Sequence, residues 1–210
     1  MHLDAPCICN LGRVAYQEGV RLQQEFADRR RSGEIGDTLL LCEHPPVYTL
    51  GTNADAALVL RSDTAEVIQT DRGGEVTYHG PGQVVGYAIC DLNGRGRDVH
   101  RHCRDLEEVM IRALADFGLG AGRIEGLTGV WLGDEKVGAL GVRVRRWIST
   151  HGFALNVDCD LTYFDGIIPC GIRDKGVTTM ERALGRPVDI DAVRQSCARH
   201  FEEIFLGTDG

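Results

Sequence analysis

The order of strand-like and helical segments constrains the fold of this chain more than any other feature. β-forming stretches crowd the middle, and the helical periodicities fall at the start, the centre and the end. From Leu11 the positions Ala15, Gly19, Leu22 and Phe26 recur at helical spacing, and that segment closes at Ser32-Gly33. Val99, Cys103, Leu106, Met110, Ala113, Leu114 and Phe117 mark a second helix that stops at Gly118. A third begins at Asp189, a side chain suited to an N-cap, and carries Ile190, Val193, Cys197, Phe201 and Ile204 on one face up to Phe205. Between the first two lie Thr38 to Cys42 and Val47 to Leu50, parted by Pro45-Pro46, and then three β stretches between Val67 and Leu92, separated by Arg72-Gly73-Gly74 and Gly80-Pro81-Gly82. After the second helix, Val130 to Leu132, Lys136 to Val144 and Trp147 to Val157 suit an antiparallel meander with a turn at Gly133-Asp134. Strands gathered in this way predict an α+β fold and exclude alternating βαβ units. No Gly-x-Gly-x-x-Gly opens a helix, so a dinucleotide-binding domain is excluded as well.

Charge and composition narrow the function classes. With 23 Lys+Arg against 31 Asp+Glu the net charge is -8, and no basic block is longer than Arg29-Arg30-Arg31. The basic stripe of a nucleic-acid protein is therefore missing. No apolar run approaches the roughly 20 residues of a membrane helix, and Met1 to Leu11 have neither the basic nor the apolar region of an export signal. The expectation is a cytoplasmic protein with no membrane partner. The 210 residues, 43% hydrophobic, read as a single domain over 1–210 that can bury roughly 70% of its unfolded surface. Without an export signal, Cys7, Cys9, Cys42, Cys90, Cys103, Cys159, Cys170 and Cys197 read as reduced thiols, and the absence of any Cys-x-x-Cys argues against a metal site.

Three segments carry chemistry beyond the scaffold. Arg72-Gly73-Gly74-Glu75-Val76-Thr77-Tyr78-His79-Gly80-Pro81-Gly82-Gln83 combines glycines, which let a ligand approach the backbone, with a guanidinium and an imidazole. In Lys136-Val137-Gly138-Ala139-Leu140-Gly141-Val142-Arg143-Val144-Arg145-Arg146 a lysine sits among small residues, and Arg143 and Arg145 alternate onto one face as a basic ledge. Asp165-Gly166-Ile167-Ile168-Pro169-Cys170-Gly171-Ile172 sets a cysteine in a rigid apolar turn, a candidate nucleophile given a lysine and several histidines as possible partners. A plain hairpin, a solvated lysine at a strand start and a small buried hydrophobe are the structural alternatives.

Together, Arg72 to Gln83, Lys136 with Ala139-Leu140-Gly141, Gly152-Phe153-Ala154-Leu155-Asn156 and Pro169-Cys170-Gly171 resemble, in the same order, the blocks of the lipoyl(octanoyl) transferase family, with the likeness running from about Leu39 to Gly185. The resemblance implies the α+β catalytic domain shared with biotin and lipoate protein ligases, a mixed and largely antiparallel sheet flanked by helices. It implies an acyltransferase that moves an octanoyl group from acyl carrier protein, through a cysteine thioester, to the ε-amine of a lysine. The acceptors would be the lipoyl domains of 2-oxoacid dehydrogenase complexes and the glycine cleavage H protein. By the same resemblance Cys170 is the nucleophile and Lys136 favours its thiolate. Substrate contacts fall on Arg72, Gly73, Gly74, Glu75, Val76, Thr77, Tyr78 and His79, on Ala139, Leu140 and Gly141, and on Gly152, Phe153 and Ala154. His79 can serve either the acyl site or a hydrogen bond within its own turn.

No cofactor, metal or ATP is implied, because thioester exchange is nearly isoenergetic and amide formation runs downhill; no Walker-type Gly-x-x-x-x-Gly-Lys-Ser/Thr occurs. The alternative is an ATP-dependent lipoate or biotin ligase, which makes an acyl adenylate and needs no such thiol. The Arg143, Arg145 and Arg146 ledge is the expected dock for an acidic carrier protein. No leftover apolar stripe calls for a partner copy, so a monomer is expected.

Overall fold

The computed structural model describes residues 6–167 and 175–206. A large sheet contains, side by side, β1 (Cys7–Arg13), β2 (Thr38–Glu43), β6 (Gln83–Ile89), β10 (Ile148–Asn156), β9 (Glu135–Arg145), β8 (Leu127–Leu132) and β7 (Gly122–Ile124). β1 and β2 run parallel, and each later pair along this path is antiparallel. β11 (Gly176–Val177) joins the start of β9 in parallel. A smaller sheet places β3 (Val47–Leu50) between β4 (Glu66–Gln69), to which it is parallel, and β5 (Val76–His79), to which it is antiparallel. The architecture is the expected α+β class with a mixed, mainly antiparallel sheet.

α1 (Tyr16–Arg31) covers one face of the large sheet, and α2 (Val99–Asp116) with α4 (Ile190–Leu206) covers the other. This double cover explains the unbroken apolar run of β2. Leu39 and Leu41 pack in the core with α2 and α4, while Leu40 and Cys42 pack in the core beneath α1, because successive strand side chains point to opposite faces. Pro45-Pro46 interrupts the chain where it leaves the large sheet for the small one, whose own core is Tyr48, Leu50, Val76, Tyr78 and Ile167. Asp98 caps α2 by accepting the Arg101 N–H at 2.9 Å. None of the described helices is long and apolar enough to cross a membrane.

The periodicity placed the first helix too early. Leu11 lies in β1, and α1 begins at Tyr16. Leu11 packs in the same core as Phe26 although its backbone is extended, whereas Ala15 between them is exposed at the N-cap, so the helical spacing through Ala15 is a coincidence of sequence. β7, β11 and the short helix α3 (Met180–Leu184) went unread, being too short to show a period.

Candidate active site

The placement of Lys136 depends on an irregularity in β9. Val130 pairs with Gly138, but the next residue of β8, Trp131, pairs with Lys136, so Val137 is an extra residue opposite that step. Val137 is fully buried in the core shared with α2, and Gly138 faces α2 as well: a Cβ there would lie 2.7 Å from the Met110 Sδ. With two consecutive residues turned toward α2, Lys136 and Ala139 come to one cavity although an odd spacing would part them in a regular strand. The Lys136 backbone is held from both sides, by Trp131 on β8 and by β11, and the Thr178 N–H donates to the Lys136 carbonyl at 3.0 Å. Its Nζ lies over the Trp131 indole, 4.8 Å from the ring centroid.

The 72–79 segment closes over β9 by direct backbone packing. The Gly73 N–H donates to the Val142 carbonyl at 2.9 Å, and a Cβ on Gly141 would come within 2.8 Å of the Gly73 oxygen. Arg72 is buried. Its Nη2 donates to the Thr49 carbonyl at 2.6 Å and to Thr49 Oγ1 at 2.9 Å, and its Nη1 donates to the Gly73 carbonyl at 3.0 Å. The guanidinium that the sequence offers as a ligand group thus also anchors the loop to β3. Asp71, just before it, accepts from His151 Nε2 at 2.8 Å and pairs with Arg143, tying the loop to β9 and β10. Arg143 is therefore half of an ion pair and partly buried, while Arg145 and Arg146 of the predicted ledge are exposed.

Beneath the loop lies a group of neutral rings. His44 donates from Nδ1 to the Val14 carbonyl at 2.7 Å, which leaves Nε2 to accept from the Tyr87 hydroxyl at 2.6 Å. His79 stacks on Tyr16 with 6.0 Å between ring centroids and meets the edge of His44. Burial, with His44 and Arg72 adding to it, holds the His79 pKa well below the usual histidine value. His79 Nδ1 has no hydrogen-bond partner among the described residues. Gln83 donates to Asn156 Oδ1 at 2.9 Å, and Asn156 in turn donates to the Thr178 carbonyl at 3.0 Å, linking the floor of the site to the segment that leads into α3.

These elements enclose a cavity of about 490 Å³. Lys136, all of Arg72 to His79, Ala139 to Gly141 and Gly152 to Ala154 line it, so residues more than eighty positions apart in sequence share one wall. Cys170 lies outside the described residues. Sequence reasoning missed Tyr16, Tyr87, Cys103, Leu127, His151 and Val177, which also line the cavity. His151 was legible in principle as the residue that opens the His-Gly-Phe-Ala-Leu-Asn run. Cys103 was hidden by its helical spacing, and burial, the largest cause, pushes its thiol up to about 11, too high for a ready nucleophile at neutral pH.

The two-sheet α+β domain shares its fold with solved lipoate and biotin protein ligases. The structure superimposes on lipoate-protein ligase A bound with ATP at a TM-score of 0.77, 19% identity, covering 95% of this chain and 85% of that one. It superimposes on the bi-partite lipoate protein ligase of Thermoplasma acidophilum, described with its E2 lipoyl domain, at 0.72 and 18%, covering 95% and 83%. At such identities the likeness establishes the fold. A model of the lipoyl protein ligase A/B catalytic domain matches residues 15–202, and the chain belongs to that family. Within it, the octanoyltransferase of Rubrobacter xylanophilus is 52% identical over 207 residues, covering 95% of this chain and 92% of that protein.

Proposed function

We propose that this chain is an octanoyltransferase of protein lipoylation. It moves an octanoyl group from the phosphopantetheine thiol of acyl carrier protein to the ε-amine of a lysine on a lipoyl domain, in the cytoplasm, as a monomer and without ATP or another cofactor. The observation that carries this reading is the convergence of the 72–79 loop, the Lys136 to Gly141 stretch and Gly152 to Ala154 on one cavity, in a chain 52% identical to an octanoyltransferase. Val76, Val85, Leu140, Val142 and Phe153 give that cavity an apolar wall suited to an alkyl chain. Among the described residues the large hydrophobic side chains left exposed, Val20, Leu60, Val67, Trp147 and Leu206, come from five different stretches of the chain and not from one apolar helix face or strand, which supports a monomer.

In the proposed reaction the Cys170 thiolate attacks the thioester carbonyl, and the bond to the carrier thiol breaks as the enzyme thioester forms. The acceptor amine then attacks that thioester, loses a proton and forms the amide, and Cys170 departs as the thiolate. The Lys136 ammonium favours the thiolate by charge and passes protons between the departing thiol and the incoming amine. Seven carbons beyond the carbonyl, at about 0.8 kcal/mol each, supply at most about 5 to 6 kcal/mol on burial. Discrimination between neighbouring chain lengths is correspondingly modest.

The test is intact-protein mass spectrometry after incubation with octanoyl-loaded acyl carrier protein. A hydroxylamine-sensitive gain of one octanoyl group, absent from Cys170→Ala, supports the thioester route. Full transfer by Cys170→Ala overturns it, and activity only with ATP and free octanoate moves the assignment to a ligase.

A further inference from the structure

We propose that Trp131 is a positioning residue for Lys136, its indole face holding the lysine ammonium at the cavity wall. The inference rests on the role given to Lys136 above and adds the means by which that role is kept in place. A lysine carries its charge on a flexible four-carbon stem with large rotamer freedom, and a reacting group displaced by about 1 Å can lose about 100-fold in rate. Something must hold the stem and the head.

The stem lies along Gly129 on β8. A Cβ there would stand 3.2 Å from Lys136 Cε and 2.5 Å from the Gly138 carbonyl oxygen, and Gly129 has φ +115, a conformation closed to other L residues. Glu107 of α2, itself buried, holds this stretch of β8 by accepting the Gly129 N–H at 2.9 Å, and its carboxylate also takes Arg104 and Arg123. The head meets the indole. Trp131 is the direct cross-strand neighbour of Lys136 at the β9 bulge, and Nζ stands 4.8 Å from its ring centroid, within the range in which an aromatic face attracts a cation.

The indole N–H points to the same conclusion. Buried tryptophan ordinarily donates a hydrogen bond, yet the Trp131 Nε1, in a residue only 3% exposed, has no partner among the described residues. A phenyl ring would fill much of this site without that cost. What the indole adds is the stronger π face.

The experiment uses the full chain with Trp147→Phe, which leaves Trp131 as its single tryptophan. Tryptophan is replaced biosynthetically by mono-, di- and trifluorotryptophan, which drain the π face stepwise at nearly constant shape. The expected result is a graded fall in kcat for octanoyl transfer, roughly 3- to 30-fold across the series, with KM and melting temperature unchanged. Trp131→Phe should keep more activity than Trp131→Leu at equal folded fraction. A flat fluorine series, or equal activity of the Phe and Leu variants, overturns the inference. Lys136→Ala separates the two claims. If that variant is inactive and the series is flat, only the positioning role falls. If it keeps its activity, the assignment of Lys136 falls and the inference with it.

Discussion

His151 is constrained at its backbone and at its side chain. Its backbone adopts φ +58 in the middle of β10, its N–H leaves the ladder to donate to Gln23 Oε1 on α1 at 2.7 Å, and its imidazole bonds Asp71 ahead of the glycine-rich loop. A non-glycine residue in the left-handed region is costly unless its side chain tolerates the turn, as asparagine does and β-branched residues do not. His151→Val should therefore be less stable than His151→Asn by about 1 to 3 kcal/mol; equal urea midpoints with equal m values would remove the strain argument. Both variants lose the imidazole bond to Asp71, so both should raise KM for the acyl donor through a looser 72–79 loop. Residues of this kind are half legible in sequence. The histidine beside the Gly-Phe-Ala block can be seen, but its positive φ and its pairing with a residue 80 positions away cannot.

At the scale of elements, the β9 bulge is what carries Lys136 to the cavity. Gly138→Ala would drive a Cβ against Met110 Sδ at 2.7 Å and Val130 Cβ at 3.3 Å, an overpacking that should cost about 1 to 3 kcal/mol. The Gly138→Ala, Met110→Ala pair should be less destabilised than the sum of the single variants, because the second makes room for the first. Strict additivity in denaturant unfolding would show that the two do not meet. Alternation along Val142 to Arg145 is regular, and reading it from the sequence gave the right faces there. At Lys136 to Ala139 the same rule fails, since an extra residue in one strand is set by pairing with another strand and leaves no mark in the local pattern.

At the scale of the molecule, two properties come from sums. Four histidines, His44, His79, His102 and His151, are buried and have their pKa values lowered, chiefly by burial, His102 to about 3 and His151 to about 4. Each binds its proton more weakly folded than unfolded, so below pH 6.5 the unfolded chain takes up more protons. Stability is full above that pH and falls as pH drops toward the folded values. His102 packs its ring against Phe205, and neither of its ring nitrogens has a partner among the described residues. His102→Phe should therefore lose about 2 kcal/mol less than the parent between pH 7 and pH 5; parallel losses in urea unfolding would count against the neutral buried imidazole. Charge is the second property. Against a net charge of -8, the exposed Arg145 and Arg146 should help dock an acidic carrier protein. Reversing both to glutamate should raise KM for the carrier in low salt and matter little at high salt. An unchanged KM would remove the docking role.

The sequence by itself determined the fold class, the order of the main elements and three of the four motif segments, those at 72–79, 136–141 and 152–154, that meet at the cavity; the fourth, around Cys170, lies outside the described residues. Apolar periodicity, glycine turns and polar motifs are local properties, and they survive in any context. Tertiary structure alone decided the rest: the start of α1, the anchoring of Arg72 to Thr49, the pairing of Arg143 with Asp71, the shared face of Lys136 and Ala139, and the indole beneath the lysine. Each of these depends on which distant strand lies alongside, and that choice is made by burying two sheet faces at once, a collective property of the whole core.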